Sequence, residues 1–392
     1  MINLKQRHFR INYPLLITFI LIFALFPPKL LMINNVLDAL SKGLLLIVFI
    51  ILLYYTVRNK RFNIYIYILF CFLIWNTLSS YVLLNNFSGL VNNIRIATLV
   101  LLINLFIKKY TYSLLKSLNI VFSSYIIINF ITYIFFRDGI YIDNPREAQY
   151  RPAWFLDIEN QFADILIPGV IIVIIYSIYQ YGRINLFAWL VLTITGVTIF
   201  MASSATATVT FFFILISFLI INSSKLRKCY NYITLSLGYM VVWLLTININ
   251  KFSSVSPLIE KVLGKDITLS GRTEIWKKVF EVMPESIWTG FGHNTWVVVE
   301  VFWDREYRAH NMILQMVLDN GLISLVLFFI LFILVGVKIT KSNNNLKYYI
   351  MLGVFAILIT GLTESYRVNN LFLFLSLGFY IDNLLRKDVK HI

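Results

Sequence analysis

Seven arginines, Arg137, Arg146, Arg151, Arg272, Arg305, Arg308 and Arg367, fall in segments that join apolar runs on one side of the chain's alternation. The planar guanidinium fork makes bidentate, charge-assisted hydrogen bonds and suits phosphate well. Any one of these arginines has a simpler use, pairing with acids of the same segments such as Asp304 and Glu306. The set as a whole points to an anion site. Histidine is scarce: His8, His293, His310 and His391. His310 stands in Arg308-Ala309-His310-Asn311, directly before a helical pattern from Met312 to Asp319 that Asn320-Gly321 breaks or caps. A helix N-terminus and neighbouring arginines both favour a neutral imidazole. Such a ring can take a proton from an attacking hydroxyl. From composition alone, a plain interfacial hydrogen bond is the commoner use of a histidine in that position.

Other signals are weaker. Asp157 and Glu159 are paired carboxylates that suit a metal, but helix starts attract acids without one. Gly290-Phe-Gly292 reads as a turn and not as a nucleotide loop. The chain has no phosphate-binding loop, no zinc-type His-Glu pattern and no nucleophile elbow, so neither cofactor nor metal is expected. Asp319 and Glu364 lie near the ends of apolar runs, as buried functional carboxylates or as interface residues. The two cysteines, Cys71 and Cys229, form no disulfide framework.

The elements that must position these residues are helices in a bilayer. The chain is 59% hydrophobic and its mean hydropathy is +0.77. A soluble domain is nearer 45–50% apolar. Apolar runs of spanning length fall at roughly 12–33, 36–57, 62–84, 94–107, 113–136, 158–180, 183–201, 204–222, 230–249, 310–337, 346–362 and 367–385. This predicts an all-α, polytopic transmembrane bundle of about twelve helices. The first run follows a basic stretch, yet no small-residue cleavage site comes after it, so it reads as a retained helix.

The net charge of +15 is explained by topology and anionic headgroups and does not call for nucleic acid. With the N-terminus inside, alternate loops carry the cations: Arg58, Lys60 and Arg61; Lys108, Lys109 and Lys116; Arg183; Lys225, Arg227 and Lys228; Lys338, Lys341 and Lys347. The C-terminal tail adds Arg386, Lys387 and Lys390. Nearly all acids fall on the other side. That alternation places both termini in the cytoplasm.

Three parts follow: helices 1–9 over 1–249, a large outer-face segment over 250–309, and helices 10–12 with a cytoplasmic tail over 310–392. The outer segment is too long for a simple connector. It carries a helix signal of its own. Ser270 is a candidate cap, Ile275, Trp276, Val279, Phe280 and Met283 share one face, and Pro284 stops the helix. Trp276, Trp288, Trp296 and Trp303 are expected near headgroup level.

Ser270-Gly-Arg272-Thr-Glu-Ile-Trp276, then Pro284 and Gly290-Phe-Gly292, resembles the O-antigen ligase/polymerase superfamily. So does the stretch from His310-Asn311 to Gly321-Leu-Ile, and more weakly Arg151 to Asn160. The resemblance implies a glycosyltransferase of the bacterial inner membrane that needs no metal or nucleotide. Its partners would be an undecaprenyl-pyrophosphate-linked glycan, membrane lipid, and a chain-length regulator with other glycan-assembly proteins. By motif match, Arg272 would bind the pyrophosphate and His310 would activate the acceptor sugar. Arg151, Arg305, Arg308 and Arg367 would be further pyrophosphate ligands by proximity. The family often has Ser-Arg-Thr where the seventh and eighth runs meet, whereas this chain has Ser204-Ala205-Thr206. Within the superfamily, a repeat-unit polymerase fits the chain's size, with a ligase to lipid A-core as the alternative. A lipid-linked oligosaccharide flippase is the competing class, but it usually shows two related halves, and no half-repeat is visible here.

Overall fold

The computed structural model describes residues 12–84, 87, 89–142, 151–249, 271–302, 305–364 and 368–384. Each apolar run forms a helix. The first half holds α1 (Tyr13–Leu25), α2 (Asn35–Arg58), α3 (Ile64–Leu84), α4 (Leu90–Phe106), α5 (Thr111–Phe135) and α6 (Ala163–Tyr181). Then come α7 (Leu186–Met201), α8 (Ala205–Asn222), α9 (Tyr232–Ile247) and a short amphipathic α10 (Arg272–Val282). Finally, α11 (Met312–Lys341), α12 (Leu346–Thr360) and α13 (Asn369–Phe379) close the bundle. Among the described residues, six helical stretches are long and apolar enough to cross a membrane, namely α2, α3, α5, α8, α11 and the stretch Glu159–Tyr181 that contains α6. The other six apolar helices have 10–17 residues.

Two small hairpins add the only ladders among the described residues. β1 (Tyr141–Ile142) pairs antiparallel with β2 (Pro152–Ala153), and β3 (Val297–Val299) with β4 (Arg305–Tyr307). Among its described residues, the outer segment holds the helix that its sequence signals and, in addition, the β3–β4 hairpin.

Burial sorts the helices into layers. Every residue of α13 from Asn369 to Gly378 is buried, as are nearly all of α12 and the middle of α6. These three form the centre. In contrast, α2 and α9 turn large apolar side chains outward, such as Ile47, Ile50, Leu237 and Met240, all more than half exposed. Water would not tolerate such a surface on this scale, whereas lipid does. This is a multi-pass membrane protein.

Polar groups inside the bundle find partners between helices, as a low-dielectric setting requires. Thr18 and Ser117 hydroxyls lie 2.7 Å apart, and Tyr380 donates to Asn104 Oδ1 at 2.8 Å. Ser324 donates to Asn76 Oδ1 at 2.7 Å, tying α11 to α3.

Candidate functional site

The long helix α11 is interrupted at Gly321, whose φ of 72° and ψ of −176° leave the helical region. The break frees carbonyls in mid-bundle, and the outer segment and α3 supply their donors. Phe291 N donates to Leu318 O at 2.8 Å, Gly292 N to Asp319 O at 2.8 Å, and the Trp75 indole to Asn320 O at 2.9 Å. In return, Leu322 N donates to Ile287 O at 2.8 Å. Two glycines permit this approach. A Cβ on Gly290 would collide with the Asp319–Asn320 backbone, and one on Gly321 with the Trp288 carbonyl. The turn at 290–292 and the Asn320-Gly321 break, both read from sequence, are thus two halves of one joint.

The joint sets up the segment that carries His310. Asn311 caps α11, its Oδ1 accepting from Ile313 N at 3.1 Å and Leu314 N at 3.0 Å, while its Nδ2 donates to Leu362 O at 2.8 Å. Ala309 is wholly buried, and both of its backbone polar groups are engaged. Its N–H donates to Gln315 Oε1 at 2.8 Å, and its carbonyl accepts from the Trp276 indole at 2.8 Å. Between these clamps His310 is held with φ of 44°, a left-handed conformation uncommon outside glycine. Trp276 was expected at headgroup level. It is instead 1% exposed, the anchor by which α10 grips the His310 loop.

Four residues earlier on the same face of α10, Arg272 reaches across to Glu364 with its Nη2. The other oxygen of Glu364 lies 3.4 Å from His310 Nδ1. One carboxylate therefore joins the two residues that sequence had singled out. The sequence argument for a neutral ring counted only cations and a helix end around His310, whereas the structure adds this acid. A proton on Nδ1, shared with Glu364, leaves the Nε2 lone pair to accept another. Gly271 stands at the N-cap of α10, and the proposed cap Ser270 lies outside the described residues. Phe280, expected on the packed face, is exposed.

His310 opens onto a cavity of about 700 Å³ among α2, α3, α4, α11 and the 293–310 segment. Its wall carries four cations, Lys29, Lys42, Arg95 and Arg308, and both His293 and His310. It also carries acids, each with a partner: Asp38 with Lys42 at 2.7 Å, Glu364 with Arg272, Asp164 with Asn370, and Asp319 with Gln315 at 2.7 Å. Arg308 follows directly on β4, and its guanidinium lies 5.8 Å from the centre of the Trp296 ring. His293 Nδ1 stands 3.8 Å from Asp319 Oδ2. Burial lowers its pKa, and Arg308 lowers it further.

The expected residues separate into three groups. His310, Arg308 and, through Glu364, Arg272 come together. Arg151 and Arg305 are exposed and do not line the cavity, and Arg367 and Arg146 lie outside the described residues. Asp157 and Glu159 serve the fold: Asp157 Oδ1 accepts from Ile158 N at 2.9 Å, and Glu159 accepts from Tyr133. Among the described residues no cluster of three His, Cys, Asp or Glu is placed to hold a metal. Sequence reasoning passed over Lys29, Lys42 and Arg95. Their signal was a cation within or beside an apolar run on the arginine-rich side, where charge is costly unless used. The departure at Ala205 lies close by, since Thr206 meets the Thr363 hydroxyl at 2.6 Å, next to Glu364.

Residues 186–329 match the family model described as O-Antigen ligase. The match runs from α7 into α11 and includes Arg272, the Gly290–Gly292 turn, His310 and the Gly321 break. It supports the superfamily that the motifs resemble. The cavity cations on α2 and α4, and Glu364, lie outside the O-Antigen ligase segment. No curated protein matches the chain.

Proposed function

We propose that this protein is a metal-independent glycosyltransferase that moves a glycan from a lipid pyrophosphate to an acceptor sugar on the outer face of the bacterial inner membrane. The observation that carries this reading is the shared carboxylate. Glu364 holds His310 by Nδ1 and Arg272 by Nη2, at the wall of a cavity lined with cations. His310 Nε2 takes the proton of the acceptor hydroxyl as its oxygen attacks the anomeric carbon. The bond from that carbon to the pyrophosphate oxygen breaks, and the lipid pyrophosphate leaves with the electron pair. Arg308 and the remaining donors of Arg272 offset its growing charge. The leaving group is already good, so no cofactor energy is required. Arg151, Arg305 and Arg367 stay candidates for contacts farther along the glycan pyrophosphate.

The twelve helices are proposed as twelve spans with both termini cytoplasmic, placing the cavity on the outer side. The shorter helices fit a tilted or locally thinned bilayer. Undecaprenyl pyrophosphate is the proposed carrier, and polymerisation of O-antigen or capsular repeat units the proposed outcome. The description of the matched family favours a second reading, ligation to lipid A-core.

The test is His310→Ala in a deletion strain, with membrane insertion checked. Transfer should fall by about 10²–10⁴-fold, the usual worth of a positioned base. Retained transfer overturns the assignment. The glycan profile of the deletion strain separates the outcomes: single repeat units on surface lipid for a polymerase, long glycan stranded on its carrier for a ligase. Single units trapped on the cytoplasmic face would mean a flippase and would remove the catalytic role of His310.

A further inference from the structure

The same cavity contains a second histidine–carboxylate arrangement, which the transfer step above does not use. His293 Nδ1 faces Asp319 Oδ2 at 3.8 Å, and Asp319 Oδ1 is already occupied by Gln315 Nε2 at 2.7 Å and Thr295 N at 3.0 Å. The His293 backbone is fixed too, its N–H donating to Ser80 Oγ at 3.0 Å, and its ring packs against Gly89. Asn320 lines the cavity beside them and is 6% exposed. Among the described residues, no donor reaches its buried Oδ1. A buried carboxamide oxygen without a donor costs stability unless a ligand or solvent supplies one. The neighbouring wall is rich in further carboxamides, Asn76, Asn92 and Asn93. Neutral groups that both donate and accept suit hydroxyls, not phosphate.

We infer that His293 and Asn320 form a sugar subsite that binds hydroxyls of the acceptor glycan, beside Arg308 in the same cavity. The assignment rests on the glycosyl-transfer reading. Asn320 Oδ1 accepts from a sugar O–H, and the His293 ring, braced by Asp319, bonds a second hydroxyl. Gln315 couples this subsite to the reacting centre, because its Oε1 holds Ala309 N and its Nε2 holds Asp319. His293 is thus a binding and positioning residue and not a second base.

The experiment uses the full-length protein in detergent. The probe is the oligosaccharide freed by mild acid from lipid-linked glycans extracted from the deletion strain. Its affinity is measured for the wild type and for His293→Gln, Asn320→Leu and Lys278→Ala, with thermal melting of each. His293→Gln and Asn320→Leu should each weaken binding by about tenfold, the usual cost of a lost buried hydrogen bond, while Lys278→Ala, which changes a side chain outside the cavity lining, binds within about twofold. In transfer assays the first two should raise KM for the acceptor and leave KM for the lipid-linked donor unchanged. Equal affinity in folded His293→Gln and Asn320→Leu overturns the subsite, as does a wild type that transfers glycan without binding the free oligosaccharide. A wild type that binds the oligosaccharide but transfers nothing supports the subsite and overturns the transfer reading.

Discussion

His310 Nδ1 and Glu364 Oε2 lie 3.4 Å apart although 54 residues separate them in the chain. The contact exists because two hydrogen bonds join the segments: Asn311 Nδ2 donates to Leu362 O and Met312 N to Gly361 O, each at 2.8 Å, and Glu364 follows Leu362 by two residues. Replacing Glu364 by Gln keeps the shape but removes the charge that orients the ring and stabilises it once protonated. Turnover should fall by at least about tenfold through kcat, with KM for the lipid-linked donor little changed. Steady-state rates on purified protein decide this. Unchanged kcat would mean that His310 does not depend on Glu364.

Arg272→Lys separates holding Glu364 from binding phosphate. An ammonium can still pair with Glu364, but it lacks the fork that serves two partners in one plane. The expected outcome is a KM for the donor raised by about tenfold or more, with kcat reduced less than in Glu364→Gln. If kcat falls and KM stays constant, Arg272 acts only through Glu364.

The helices were legible in sequence because bilayer solvation leaves long apolar runs, and His310 and Arg272, candidates there because few residue types do this chemistry, stand on one carboxylate in the fold. The Gly321 break was legible as well, since Asn-Gly ends helical patterns. The partner of both site residues was not. Glu364 read as one acid among several at a membrane end, and nothing local links it to positions 272 and 310. Trp276 was misplaced for a related reason. An amphipathic period identifies a packed face, but not whether lipid or protein covers it. Lys29, Lys42 and Arg95 were hidden because each lies in a different apolar run, and only the packing of α2, α4 and the Lys29–Met32 turn brings them to one wall.

His293 links acidity to stability. Burial, and then Arg308, hold its folded pKa below the ordinary value of 6.5. In the window between the lowered folded value and 6.5, the unfolded chain binds more protons than the folded one, so stability rises with pH there. The contribution is complete above the ordinary histidine range and is lost as pH falls below it. Melting temperatures at pH 8, 6 and 5 should fall on the acid side, and His293→Gln should flatten that part of the curve. A variant with the same acid-side slope as the wild type would assign the slope to other groups.

Gly321→Ala tests whether the broken helix is a required joint. The backbone there has φ of 72° and ψ of −176°, a region that L side chains strongly avoid. An added methyl would also stand on the Trp288 carbonyl, at the strand of outer segment whose neighbours donate to Leu318 O and Asp319 O. Conformational strain alone is worth about 1–3 kcal/mol, and the steric conflict adds to it. Displacing the 287–292 segment would leave those carbonyls without donors inside the bundle, each at further cost. The variant should therefore give little folded protein, with lower yield and a broadened size-exclusion profile in detergent. What does fold should lose transfer, because α11 carries Asn311 and Gln315, and these hold the His310 turn. Wild-type yield together with wild-type turnover would show that α11 can run straight through this point, and that the docking of the outer segment does not position the site.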